Sequence, residues 1–294
     1  MPIPDRQLTT WSHQPDTAAS IRTHQSVRTA LSRYSWPPNV RHEVYLQGSY
    51  KNSTNIRGDS DVDIVVQLNS TFRSDTSALP LEEGTAYSLA FDDATYDWFA
   101  FRRDVLEALR NYYGSALVSE GNKAIKLAAG SGRLPGDIVV CIQYRRYLRF
   151  QSVYDSEYVE GMTFYVPSEL RWVINYPKVH HDNGVDKNAQ RSTTGWYKPT
   201  VRMFKNARNH SDAGAAPSYF IECLLYNVPN AEFGTSFWDT FCDVVNWLEA
   251  ADLNKFVCQN RQQWLFGATP EQWSIPDARL FVQAMMALWN GWGR

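Results

Sequence analysis

Apolar positions at roughly helical spacing, Ile21, Val27, Leu31 and Tyr34, predict a first helix over residues 16–34. Asp16 or Thr17 would supply its N-cap, and Pro37-Pro38 would stop it. HEVYLQGS then reads as a short strand ending in a Gly48-Ser49 turn, KNSTNIRGDS as a polar loop and DVDIVVQL as a buried strand. The Ser/Thr-rich stretch 69–86 predicts a surface excursion, and residues 104–113 a helix capped by Asp104. KAIKLAA, GDIVVCIQYRR and GMTFYV read as strands divided by Gly and Pro. Past residue 166 the pattern turns mostly helical. Pro199 and Pro217 suit the first turns of helices carrying Val201, Phe204, Lys205 and Arg208 and then SYFIECLLYNV. Further stripes are Phe237, Phe241, Val244 and Leu248, and residues 278–289. The polar segment NYPKVHHDNGVDKNAQRSTTGW predicts a loop, either ligand-binding or mobile. The whole reads as an α+β protein, with a mixed core lobe over 1–166 and a helical lobe over 167–294.

Composition changes this picture only in what it excludes. The chain has 294 residues, 44% of them hydrophobic, which is enough for two packed lobes. Its net charge of -2 lacks the basic excess of a general nucleic-acid binder, so any cationic site must be local. Eleven Trp and sixteen Tyr provide core volume and also faces on which bases can stack. Cys141, Cys223, Cys242 and Cys258 lack zinc-knuckle spacing and lie in apolar runs, so free thiols in a reducing compartment are expected. No run is long enough to span a membrane and no secretory signal opens the chain, which predicts a cytoplasmic protein.

The candidate chemistry begins at Asp61-Val-Asp63, which opens the apolar strand after Gly48-Ser49 and the polar loop. Side chains alternate along a strand, so the two carboxylates share a face, and a divalent cation with hard oxygen ligands relieves their repulsion. Asp137 starts the next strongly apolar strand and would join them if the two strands are neighbours. Gly48 and Ser49 can offer backbone N–H groups and a hydroxyl to a triphosphate. A solvated acidic turn is the bland alternative. An EF-hand loop starting at Asp59 is excluded by Ile64 and Ser70 at the positions that require Gly and Glu.

GSYKNSTNIRGDSDVDIVV resembles the GS…DxD signature of the polymerase β-like nucleotidyltransferases, and in particular the bacterial cGAS/DncV-like enzymes (CD-NTases). YKPTVRMFKNAR and APSYFIECLLYNVP are similar to helices of that family's second lobe, in the clade (clade E) that includes cyclic UMP-AMP synthases. The resemblance implies a polymerase β-like palm, braced by the first helix, with a helical lobe across a central cleft. It implies that Asp61, Asp63 and Asp137 hold two Mg²⁺ ions, for which Mn²⁺ can substitute, and that Gly48 and Ser49 hold the donor triphosphate. Lys205 and Ser218 would contact phosphate and Tyr219 would stack on a base. Asn175, whose amide both donates and accepts, is a candidate base-edge reader. Lys51 and Arg57 are candidate neutralisers of triphosphate, and His180-His181 reads as solvated.

The implied reaction is attack of one nucleotide's 3′-hydroxyl on another's α-phosphate, repeated to close a 3′-5′ linked cyclic dinucleotide, with uridine among the bases this clade uses. ATP, UTP or GTP would be substrates. The product would act on a separate effector in anti-phage defence, and a monomer needing no DNA activator is expected. Linear oligonucleotide synthesis, AMP transfer, or an inactive nucleotide- or RNA-binding module remain as alternatives.

Overall fold

The computed structural model describes residues 2–58, 61–211 and 216–293, and it divides into two compact units that are each discontinuous in sequence. One comprises residues 17–47 and 60–179; the other comprises 1–16, 48–59 and 180–294. The expected division at 166/167 therefore differs from the packing. The N-terminal residues and the segment after Gly48 pack with the helical unit, and residues 167–179 pack with the sheet.

The first unit is built on a mixed sheet: β1 (His42–Leu46), β2 (Val62–Asp75), β3 (Val118–Glu120), β4 (Ile125–Leu127), β5 (Gly136–Ser152), β6 (Asp155–Val166) and β7 (Arg171–Asn175). The order is β1-β2-β5-β4-β3, with β6 paired to β5 and β7 to β6. β2 and β5 run parallel, which joins the two most apolar strands at the sheet's centre, while the other pairings are antiparallel. Val62, Ile64, Val66 and Leu68 of β2 and Ile138, Val140 and Ile142 of β5 form one buried face. Helices α2 (Ala18–Ser32) and α5 (Trp98–Tyr113) back this face: a side chain on Gly136 would meet Thr23 of α2, and the Trp98 indole donates to the Val140 carbonyl at 2.8 Å.

Several expectations need correction here. β2 continues to Asp75 through an irregularity between Leu68 and Phe72, where a surface excursion was expected, and α4 (Leu81–Ser88) follows. Asp97, not Asp104, caps α5 by accepting from the Ala100 N–H; Asp104 is buried and accepts from the Tyr96 hydroxyl at 2.7 Å. β7 lies in the stretch expected to be helical, because its pairing to β6 extends the sheet.

In the second unit, α1 (Asp5–Ser12), α7 (Tyr197–Asn209), α8 (Ser218–Tyr226), α9 (Phe237–Ala250) and α10 (Ile275–Gly291) enclose an apolar core. Phe204, Phe241 and Trp289 stack within it at 4.9 and 5.2 Å. Helix α1, absent from the sequence reading, contributes Leu8 and Trp11 to this core. The polar segment expected to be a loop is largely helix α6 (Pro177–Asn188), and its His180 is buried, not solvated. α7 begins two residues before Pro199, and Pro217 is the N-cap of α8, one position earlier than expected. Gly48 starts the one-turn helix α3 (Gly48–Asn52) with φ +64°, a left-handed conformation that favours glycine, so the expected turn is a tight helical corner. None of the four cysteines is in a disulfide.

Candidate active site

On the sheet, Asp63 of β2 lies directly beside Asp137 of β5 in the parallel register, and Asp61 precedes β2 on the same side. The neighbour relation on which Asp137 depended is therefore present. Adjacent strands lie about 4.8 Å apart, which puts the two carboxylates side by side where both strands begin. They point away from the face covered by α2 and α5. Gln47, immediately after β1, donates its N–H to the Asp63 carbonyl at 3.0 Å, so the chain leaves the sheet next to the aspartates and enters Gly48. Lys126 stands opposite Asp137 on β4, and their charged groups are 3.5 Å apart.

These donors form a row and not a cage: among the described residues no three carboxylates, histidines or cysteines are gathered as a ready-made ion site. Mg²⁺ takes one or two protein carboxylates and completes its shell with water and substrate phosphate. The donor set is all hard oxygen, so the residues present fit that ion. The EF-hand alternative begins at Asp59, outside the described residues.

Asn175 closes β7 opposite Met162 of β6, which is opposite Gln143 of β5. Alternation along β5 from Asp137 to Gln143 puts Asn175 on the aspartates' face, about 20 Å farther along the strand direction. Its side chain is half-buried.

In the helical unit, Ser49 lies in α3, and its carbonyl accepts from the Thr54 N–H at 2.9 Å. Ser218 begins α8, with its hydroxyl 3.3 Å from the Arg208 guanidinium. Tyr219 is 40% exposed overall, yet the two ends of its side chain differ. Its ring stacks on His180 at 5.3 Å and 26°, while its hydroxyl is buried against Cys223 and Cys258, which pushes the phenol's pKa up. Burial is the main cause, with the two thiols adding to it. The hydroxyl end is thus anchored while part of the residue stays exposed.

Lys205 is placed differently from the expectation. Its side chain is 0% exposed, and its ammonium donates to the Thr54 carbonyl at 2.9 Å. It lies on the same core-facing side of α7 as Val201 and Phe204, so a phosphate has no access to it as the helix stands. Lys198, about two turns earlier at the start of α7, is only half-buried. Burial lowers its pKa, and the neighbouring Arg202 and Lys51 add to this against the pull of Glu222. His181 of α6 is lowered in the same way by burial, Lys51 and Lys198. Lys51, His181 and Lys198 thus bring basic side chains from three helices close to one another.

Residues 182–290 match the family described as the cGAS/DncV-like nucleotidyltransferase C-terminal helical domain. The cyclic UMP-AMP synthase of Rhodothermus marinus is 56% identical over 299 residues, covering 100% of both chains. The chain belongs to the cGAS/DncV-like nucleotidyltransferases. A cyclic nucleotide synthase, CdnE01, of Staphylococcus haemolyticus is 39% identical, covering 99% of this chain and 100% of that one. The solved structure of Rhodothermus marinus CdnE c-UMP-AMP synthase with Apcpp and Upnpp superposes with a TM-score of 0.90 at 55% identity, covering 100% of this chain and 98% of that one. The polymerase β-like α+β fold with a helical C-terminal lobe, as expected from sequence, is the fold of this chain. Within this nucleotidyltransferase frame, the sequence reading passed over Lys126, Lys198 and Glu222 and took His180 for solvated. A lysine at a helix start and a carboxylate inside an apolar helix were the available signals.

Proposed function

We propose that this nucleotidyltransferase joins two NTPs into a cyclic dinucleotide, with uridine among the bases it accepts, in the manner of its Rhodothermus marinus relative. The observation that carries the reading is the side-by-side register of Asp63 and Asp137 with Asp61 on the same face. Those three carboxylates would hold two Mg²⁺ ions, which supply charge neutralisation on the phosphates and lower the pKa of the attacking 3′-hydroxyl. Gly48 and Ser49 bind the donor triphosphate through backbone N–H groups and a hydroxyl, and Ser218 lies at the N-terminus of α8, which favours negative charge.

Lys198, Lys51 and His181 take over the phosphate role first assigned to Lys205, because they can reach solvent and it cannot. Tyr219 stacks on a base, and Asn175 reads a base edge. The enzyme would act as a monomer in the cytoplasm, with the product read by a separate effector in anti-phage defence. No helix among the described residues is long and apolar enough to cross a membrane.

The test is incubation with four labelled NTPs and Mg²⁺ or Mn²⁺, then phosphatase treatment and mass spectrometry. A phosphatase-resistant dinucleotide supports the proposal. Phosphatase-sensitive oligomers point to a linear synthase and a labelled protein band to AMP transfer; either outcome, or no product at all, overturns it.

A further inference from the structure

Helix α8 is apolar and buried through Ile221, Cys223, Leu224 and Leu225, and yet Glu222 stands among them, buried with its carboxylate fully enclosed. A charge in such a place is costly unless each oxygen is paired. Here both are. The Thr54 hydroxyl donates to Oε1 at 2.5 Å, the Asn52 amide donates to Oε2 at 3.1 Å, and His180 Nε2 lies 3.2 Å from Oε2. Burial pushes the Glu222 carboxyl up, but His180, the Lys205 ammonium and Thr54 outweigh it and hold it below the ordinary carboxylate value.

The partners share a purpose. Asn52 ends α3 and Thr54 follows it, so both belong to the segment that begins with Gly48-Ser49. Thr54 is held at its hydroxyl by Glu222, at its carbonyl by Lys205, and its N–H donates to the Ser49 carbonyl. Between them Ser53 adopts φ +59°, a costly conformation for a residue with a side chain, and its carbonyl accepts from Arg202. In the other direction, the imidazole that meets Glu222 is the ring against which Tyr219 stacks. One carboxylate thus touches both the phosphate-holding segment and the support of the base-stacking ring.

We infer that Glu222 is a positioning residue for the donor nucleotide: through Thr54 and Asn52 it sets the backbone that meets the triphosphate, and through His180 it sets the plane of Tyr219. The inference rests on the donor roles proposed for Gly48, Ser49 and Tyr219. The packing of α8 itself calls for no charge at this position, which is why the carboxylate needs a purpose outside the helix.

Two variants test it. Glu222→Gln keeps the volume but turns one acceptor end into a donor facing a donor, and Thr54→Val removes the hydroxyl from the other side of the short bond. With ATP and UTP as probes, each variant raises the nucleotide KM about tenfold while kcat changes by less than about threefold. The double variant should be no worse than the worse single, since both remove the same contact. KM values within about twofold of the unaltered enzyme, additive effects in the double variant, or a kcat loss without a KM change would overturn the inference. If Glu222→Gln does not fold, Thr54→Val decides by the same split between KM and kcat. An unaltered enzyme that makes no dinucleotide overturns the proposed function as well; an active one whose KM ignores both substitutions overturns the positioning role alone.

Discussion

The two units handle charge in opposite ways. The sheet unit carries its candidate catalytic charges on the surface: Asp61 is exposed, and Asp63 and Asp137 are half-buried where two parallel strands begin. The helical unit seals Lys205, Arg202, Glu222 and His180 inside, each hydrogen-bonded to a neighbouring segment. A charge left on a surface keeps its hydration and remains available to a ligand. A buried charge has given up its water and can only hold what already surrounds it. The contrast separates charges that a ligand can reach from charges that only hold the chain around them.

If that separation is sound, Asp63→Ala abolishes dinucleotide synthesis, by about a thousandfold or more, while thermal unfolding is unchanged or slightly raised as carboxylate repulsion is relieved. Measuring both on one preparation checks it; a large loss of stability would erase the distinction. Lys205→Met is the converse. Removing one member of a buried charged network should cost about 3 kcal/mol in denaturant unfolding, because Glu222 loses its cation and the Thr54 carbonyl loses its donor. A variant that unfolds normally and loses only phosphate affinity would return Lys205 to the ligand-binding class.

Lys198→Met sharpens the comparison further: the nucleotide KM should rise about tenfold with stability preserved, since the side chain is a partly desolvated cation among other cations. The smallest effect concerns pH. The folded Glu222 pKa is depressed, so its contribution to stability is present above the ordinary value of 4.5 and is lost as pH falls through the lower folded value. Thermal melts carried from about pH 6 down to about pH 3, below that ordinary value, should show a shallower decline in Glu222→Gln than in the unaltered protein.

The same contrast explains what the sequence made legible. Asp61, Asp63 and Asp137 could be found because strand alternation and apolar runs follow from local rules, and the parallel register then brought them together. Gly48 stood out as a turn former, and its positive φ bears that out, although the turn proved to be a helical corner. Lys205 was misread because its helix shows the same residue types whether the lysine faces solvent or a carbonyl 151 positions away. Glu222 showed only as a carboxylate in an apolar helix, and its role stayed hidden for a related reason: its partners lie 42, 168 and 170 positions distant. Helix α6 has too few apolar residues for a stripe, and the extension of β2 past Leu68 is polar on one side, so periodicity had little to register in either.

The discontinuity of the helical unit bears on how the chain is born. Arg202 donates to the Ser12 carbonyl, the Asn206 amide to that of Trp11, and the Trp238 N–H to Asp5. On a ribosome, helix α1 must wait for Trp238 and for Trp292, whose ring meets Trp11, whereas residues 17–47 and 61–179 of the sheet unit can pair among themselves earlier. Leu8 and Trp11 therefore spend much of synthesis without their core, as exposed apolar surface of the kind that chaperones cover.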